Sequence, residues 1–186
     1  MKVLVINGHP DSESYISTLF NAYHHKVDLS KHEVKILELG KINFDPVLRF
    51  GYRKIMDNDH EMALSRDYLK WADHIVLFFP IWFETVPSLL KGWFDRTLVP
   101  GFAFNMEGYK VTKYFKGKTA HLVFTSLAPK IYQKIRGDIE RKTVTRLLSF
   151  CGIKTIKIDR LAGIKANKNK RGAFIKIIEK RALSLK

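Results

Sequence analysis

Five short apolar runs recur along the chain, and a longer segment with helical spacing follows each of them. That alternation limits the fold more than any other feature. "KVLVIN" (2–7), "HIVLFF" (74–79) and "TAHLVFTS" (119–126) are nearly continuous apolar runs of buried-strand length. "HEVKILEL" (32–39) alternates apolar and polar positions, as a strand nearer a sheet edge does, and "KTIKIDRLAG" (154–163) supplies the fifth strand. Between them, 14–27 sets Ile16, Leu19, Phe20 and Tyr23 on one helical face. Segment 86–98 does the same with Val86, Leu89, Leu90, Trp93 and Phe94, and 61–72, 137–152 (closed by Gly152) and 169–183 complete the helices. A βαβαβαβαβα order predicts a three-layer α/β fold, a parallel sheet with helices on both faces. Right-handed crossovers leave few topologies, and five strands in 186 residues fit the order 2-1-3-4-5. No repeat, low-complexity tract or linker interrupts the pattern, so 1–186 reads as a single domain. Segments 40–59 and 99–117 read as the least structured.

The charge is lopsided. The chain carries a net +15, and from Lys154 onward eleven Lys and Arg face only Asp159 and Glu179. Three readings fit: attraction to nucleic acid or an anionic membrane, a solvated helix face in a basic protein, or attraction of an anionic small molecule. No nucleic-acid-binding motif accompanies the charge, so a nucleic-acid partner is not expected. A hydrophobic content of 46% argues against disorder. No stretch offers the roughly 18 apolar residues of a membrane span, and the opening "VLVI" is too short for a signal peptide. The single Cys151 precludes an internal disulfide and fits a reducing compartment. The expectation is a cytoplasmic protein. His24, His25 and His60 make no metal-ligand spacing with Cys151, so no metal is expected.

In an open parallel sheet, ligands bind beyond the carboxyl ends of the strands, where the winding reverses. Three loops should lie there. "NGHPDSESY" (7–15) brings His9 and the hydroxyls of Ser12, Ser14 and Ser17 to a helix N-terminus, where free amides favour a phosphate. Helix capping by Ser12 or Ser14 explains the same residues. "PIWFETVP" (80–87) crowds aromatics beyond Pro80, which should end the strand, and Pro87 fits the first turn of the next helix. Pro80 to Phe83 would give a flat cofactor a wall of backbone donors and apolar side chains; Trp82 and Phe83 folded back on the core is the alternative. "TSLAPKIY" (125–132) offers Thr125, Ser126 and Tyr132, or simply a turn at Pro129.

These residues resemble the NAD(P)H:quinone oxidoreductase branch of the flavodoxin-like proteins, which includes DT-diaphorase and the ancillary oxidoreductases of potassium-efflux systems. The likeness is densest in "FPIWFETVPSLLKGWFDR" followed by "GFAF" (101–104), with support from "GHPDSESYIS" and "LLSFCGIKTIKI". The resemblance implies a flavoenzyme that takes hydride from NAD(P)H through flavin N5 and passes it to a quinone or similar acceptor in the same pocket, by a ping-pong mechanism. It implies that His9, Ser14, Tyr15 and Ile16 bind the phosphate end of the flavin. Pro80, Ile81, Trp82 and Phe83 would contact the isoalloxazine, with Thr125 and Ser126 on its other polar edge. Tyr132 aligns with a Tyr that balances charge on reduced flavin, and Phe104 and Met106 with positions that cover the ring from a neighbouring subunit, hence a homodimer. Lys91, Asp95 and Arg96 match the family motif but read as structural, a helix i,i+4 pair and surface ion pairs.

The chain departs from the family at two places. Leu127 and Ala128 stand where the family often has Gly-Gly, which bears on how closely the backbone approaches the flavin. Glu84 replaces an apolar residue; it either repels an anionic acceptor or reduced flavin, or caps the next helix. The chain is shorter than FAD-using members, so FMN is expected, with FAD the alternative. Relatives also imply a second role, a regulatory or ancillary subunit docking on a membrane transporter.

Overall fold

The computed structural model of the chain describes residues 1–54, 56, 60–166 and 168–185, so part of the 40–59 segment lies outside the described residues. Strands β1 (Lys2–Asn7), β2 (Glu33–Glu38) and β3 (His74–Ile81) alternate with helices α1 (Tyr15–His24), α2 (His60–Trp71) and α3 (Ser88–Thr97). A hairpin follows, β4 (Phe104–Glu107) and β5 (Lys110–Lys113). Then come β6 (Thr119–Ser126), α4 (Lys130–Ile135), α5 (Ile139–Cys151), β7 (Lys154–Leu161) and α6 (Arg171–Leu183).

The main sheet is parallel with order β2-β1-β3-β6-β7, which is 2-1-3-4-5 once the separate hairpin is set aside. Strand periodicity sorts the side chains onto two faces. Val3, Val5, Val76, Phe78 and Val123 meet Ile16, Leu19, Phe20 and Tyr23 of α1 and Phe174 and Ile178 of α6. Leu4, Ile6, Leu77, Phe79, Leu122 and Phe124 pack on the opposite side against Met62, Leu69, Leu90, Trp93, Val144 and Leu148 from α2, α3 and α5. Three layers result because both faces of the central strands are apolar and each must be covered. Among the described residues no helix is long and apolar enough to cross a membrane.

Several expectations are corrected. Pro80 does not end its strand: it pairs with Thr125, and β3 runs on to Ile81. The Phe78 carbonyl accepts from Gly8 N on the β1 side, and Pro80, two residues on, faces the same way. There β1 has already ended at Asn7, so the missing proline N–H breaks no ladder bond. Pro87 stands at the N-cap of α3, just before its first turn. The 99–117 segment contains the β4–β5 hairpin, joined by the two-residue turn Gly108–Tyr109. Arg96 is not a surface residue; it is 3% exposed and donates to the Asp45 carbonyl. Lys91 and Asp95 do pair, at 2.7 Å, and Gly152 closes α5 in the left-handed conformation.

Burial at the amino end of the sheet has a pH consequence. His74 opens β3 at 3% exposure, with Nδ1 2.7 Å from Thr119 Oγ1. Burial, reinforced by the charges of His121 and His32, pushes its pKa down to about 4. Below the ordinary value near 6.5 the unfolded chain gains a proton that the folded chain resists, so stability present above pH 6.5 is lost as pH falls towards 4. The loss should reach about 3 kcal/mol, because each tenfold drop in proton affinity is worth about 1.4 kcal/mol. Urea unfolding of wild type and His74→Asn between pH 7.5 and 4.5 checks it: the variant should show the shallower slope.

Candidate functional site

The first loop is organised by its own polar groups. Asn7 Nδ2 donates to Ser17 Oγ at 2.9 Å, while Asn7 Oδ1 accepts from His9 N at 3.1 Å. Ser17 Oγ donates to the Asp11 carbonyl at 2.8 Å, and Glu13 N is held by Asp11 Oδ1. Ser14 is the N-cap of α1, its Oγ accepting from Ser17 N at 3.1 Å. The Ser14 hydroxyl is therefore occupied by capping. The amides of Tyr15 and Ile16, at the start of α1, find no acceptor among the described residues. They are orphan donors of the kind that hold anions at helix N-termini. The Tyr15 side chain turns away to donate to the Arg171 carbonyl at 2.8 Å, with the Arg171 guanidinium 5.4 Å from its ring, and Ile16 is core at 2% exposure. At these two positions the ligand-facing groups are backbone.

His9 adds a third donor. Its Nδ1 accepts from Asp11 N at 2.9 Å, so the neutral ring carries its proton on Nε2. Burial lowers the His9 pKa, partly opposed by the Asp11 carboxylate, and favours that neutral form. The imidazole meets Trp82 edge-on, with centroids 5.3 Å apart. The first and second loops thus touch.

The second loop is a tight turn. Trp82 and Thr85 exchange backbone hydrogen bonds at 2.9 and 3.0 Å, which leaves Phe83 and Glu84 at φ of 47° and 63°. Non-glycine residues rarely adopt that conformation, and such strain clusters at functional sites. Pro80 is buried and Ile81 half-buried, Trp82 is 42% exposed, and the Phe83 side chain stands fully in solvent. Trp82 and Phe83 do not fold back on the core. Glu84 does not cap α3; it pairs with Arg136 at 3.1 Å.

The third loop starts where β6 pairs with β3, Thr125 opposite Pro80 and Ser126 opposite Ile81. Thr125 is 5% exposed. Ser126 Oγ is engaged inside the loop, donating to the Ala128 carbonyl and accepting from Gln133 Nε2. Gly163 N and Ile164 N donate to the Ala128 and Ser126 carbonyls. Neither Leu127 nor Ala128 has positive φ, so this braced loop does without a Gly-Gly pair. Tyr132, 46% exposed, stands on α4.

Loops two and three enclose a cavity of about 320 Å³ whose lining includes Ile81, Trp82, Tyr132, Gln133, Arg136 and Glu140. The last three went unread in the sequence, because nothing in "KIYQKIRGDIE" marks which side chains point inward. A larger groove of about 780 Å³ lies at the amino end of β7, lined by Lys113, Lys116, Arg141, Arg146 and Lys154. It sits away from the carboxyl rim where the three loops meet. Met106 is 52% exposed on β4, whereas Phe104 is 7% exposed and packs edge-on to Phe150 at 4.8 Å. Phe104 is therefore a core residue, and of the two positions expected to reach a neighbour's ring only Met106 is presented to solvent.

The rim thus joins an anion-holding end (two orphan amides and a neutral imidazole donor) to a flat wall of Pro80, Ile81 and Trp82. This donor set fits a phosphate-bearing planar group such as FMN.

Comparison with known proteins agrees with the architecture. The family model described as "flavodoxin-like fold" matches residues 1–182. The chain is 28% identical over 183 residues to ribosyldihydronicotinamide dehydrogenase (quinone) of Rattus norvegicus, covering 83% of this chain and 78% of that protein. It is 32% identical over 116 residues to an ancillary protein of the glutathione-regulated potassium-efflux system of Cronobacter sakazakii, covering 62% and 55%. Among solved structures, Smu.1420 of Streptococcus mutans superposes with a TM-score of 0.87 at 26% identity over the full length of both chains. An FMN-dependent NADH-azoreductase of Bacillus anthracis, in complex with FMN, shares the fold at 18% identity and a TM-score of 0.77, covering 97% of each chain.

Proposed function

Because the chain belongs to the family with the flavodoxin-like fold, whose model spans residues 1–182, we propose that it is an FMN-dependent NAD(P)H oxidoreductase reducing quinones or related acceptors. One observation carries the reading. Three separate turns converge on one rim, with His9 against Trp82 and Ile81 beside Ser126, and leave a cavity between turns two and three. The activities for which the rat relative and the Bacillus azoreductase are named support the same chemistry and cofactor.

FMN, when bound, would supply a ring position that accepts hydride and gives it up again. The residues of this chain do the rest. The Tyr15 and Ile16 amides and His9 Nε2–H would hold the phosphate. Pro80 to Phe83 and Thr125 would orient the ring, largely through backbone, and Trp82 would shield it from water. Tyr132, which lines the cavity between loops two and three, would help balance charge on the ring. NAD(P)H would leave as NAD(P)+ before the acceptor enters the same slot, a ping-pong order; the acceptor gains that hydride and a proton from water and leaves as hydroquinone. Exposed Met106 would complete the pocket of a second copy in a homodimer.

A second role as an ancillary subunit of a membrane transporter is compatible with this one. The 32% match to the potassium-efflux ancillary protein supports it, as does the basic surface.

FMN titration of the purified protein, followed by NADPH oxidation with menadione, tests the enzyme reading. The expected result is one FMN per chain and menadione-dependent oxidation with parallel double-reciprocal plots. A protein that takes up no flavin overturns it.

A further inference from the structure

The cavity beside the proposed ring site is lined by an unpaired amide oxygen and an unpaired carboxylate. Gln133 is 2% exposed; its Nε2 donates to Ser126, while its Oε1 is buried with no partner. Glu140 is 4% exposed and lines the same cavity; its carboxylate oxygens keep access to solvent and take no hydrogen bond or ion pair from the described residues. The guanidinium that shares the cavity, Arg136, is paired with Glu84. In a chain of net charge +15, the charged residues of this lining are two carboxylates and one guanidinium, a net negative wall.

A buried amide oxygen left unpaired costs stability, and a carboxylate that opens onto a cavity presents its charge to whatever enters. Helix chemistry alone explains Glu140 in part, since a carboxylate in the first turn of α5 favours the dipole. It does not explain why the side chain is turned inward beside Gln133 instead of outward into water. Both groups accept from any donor that enters the cavity, water included, but a ligand that brings N–H donors or positive charge is also favoured by the net negative wall.

We infer that Glu140 and Gln133 set the acceptor selectivity of this slot: it takes neutral donor-bearing or cationic acceptors and disfavours carboxylated and sulfonated ones. The inference rests on the oxidoreductase reading above. Selectivity here works by exclusion as much as by attraction, because an anionic acceptor would meet a carboxylate in a site that shields charge poorly. The overall positive charge acts oppositely at long range and steers anions inward, so only changes in preference are diagnostic.

The test measures kcat/KM of the FMN-loaded protein with a trialkylammonium-methyl naphthoquinone, a naphthoquinone sulfonate and neutral menadione. Glu140→Gln keeps the side-chain size and should reduce the cation-to-anion ratio about tenfold, each rate being taken relative to menadione. Gln133→Leu should weaken amino-substituted naphthoquinones several-fold relative to menadione. Wild type alone gives a second measure: raising salt screens long-range steering but little inside the slot, so its cation-to-anion ratio should rise. A ratio unmoved by Glu140→Gln, with only a lower Tm, leaves Glu140 as a helix-dipole residue and overturns the inference. So does a wild-type ratio that fails to rise as salt is raised. Loss of menadione reduction in the FMN-loaded wild type overturns the enzyme reading and this inference together.

Discussion

Gly40→Ala is expected to lower stability by about 2–3 kcal/mol and to weaken FMN binding at least tenfold per folded molecule. A Cβ at Gly40 would lie 2.3 Å from the Pro10 carbonyl oxygen, 2.8 Å from its carbonyl carbon and 3.1 Å from the His9 carbonyl oxygen. All three are backbone atoms of the first loop, so no side-chain rotation relieves the overlap. The loop cannot yield cheaply either, because Asn7, Asp11 and Ser17 tie it to β1 and α1. Relief must shift the His9–Pro10 segment, which moves the imidazole off Trp82 and disturbs the turn that leads to the orphan amides. Gly92→Ala is the control. Its Cβ would fall 2.4 Å from Pro46 Cβ and 2.5 Å from the Pro46 carbonyl oxygen, an overlap of similar severity on α3 that leaves the first loop alone. Both variants should lose stability in urea, but only Gly40→Ala should lose flavin affinity in fluorescence titration. Wild-type FMN affinity in a destabilised Gly40→Ala would show that the first loop does not hold the phosphate end.

Close approaches such as those at Gly40 and Gly92 leave no trace in sequence spacing, whereas the sheet order does. The order was legible because every strand is a short apolar run and every crossover an amphipathic helix, and periodicity reports both. The β4–β5 hairpin was missed although "FNMEGYKVTK" alternates around a Gly-containing turn; four-residue strands on the surface bury too little to leave a strong pattern. Pro80 misled because strand rules assume neighbours on both sides, and here β1 has already left. At the rim, sequence placed the three loops correctly but not the use of each atom. Ser14 and Ser126 carry the right hydroxyls, yet one caps α1 and the other serves Gln133 and Ala128. Phe104 belongs to a family motif that marks a position, while its burial under Phe150 depends on a helix that begins 35 residues later. Glu140 and Arg136 lie on successive turns after the third loop and could be assigned inward only once α4 and α5 were in place. Long-range packing decides which polar atoms remain free, and local spacing carries no record of it.

Asp159→Asn should be the more damaging change to the fold, at about 3–5 kcal/mol, with no effect on flavin affinity per folded molecule. The Asp159 carboxylate, 11% exposed, lies 2.9 Å from His121 Nε2. It also receives Arg181 in two contacts, Nε at 2.9 Å and Nη2 at 3.2 Å, so a single side chain ties β6, β7 and α6 together. Burial alone would raise its pKa, but the hydrogen bonds from His121 and Arg181 outweigh burial and hold it at about 2. That depression is a stability contribution present above the ordinary carboxyl value near 3.8 and lost as pH falls towards 2. Linkage puts it at roughly 2 kcal/mol; the substitution costs more because it also leaves the 3%-exposed His121 and the Arg181 guanidinium without their anion. The pH dependence separates this site from His74, whose contribution fades earlier, between 6.5 and about 4. Wild type and Asp159→Asn should therefore differ most near neutral pH and draw closer by roughly 2 kcal/mol as pH falls from 3.8 towards 2. Urea unfolding across that range, with a His121→Gln/Asp159→Asn double-mutant cycle, measures both effects. A loss under about 1 kcal/mol, or a gap that persists unchanged at pH 3, would show that the cluster is only a solvated surface pair. The charge distribution follows the same logic: Arg160 is bound to Asp138 and Arg181 to Asp159, so part of the basic segment from Lys154 onward serves to fasten the last strand and helix.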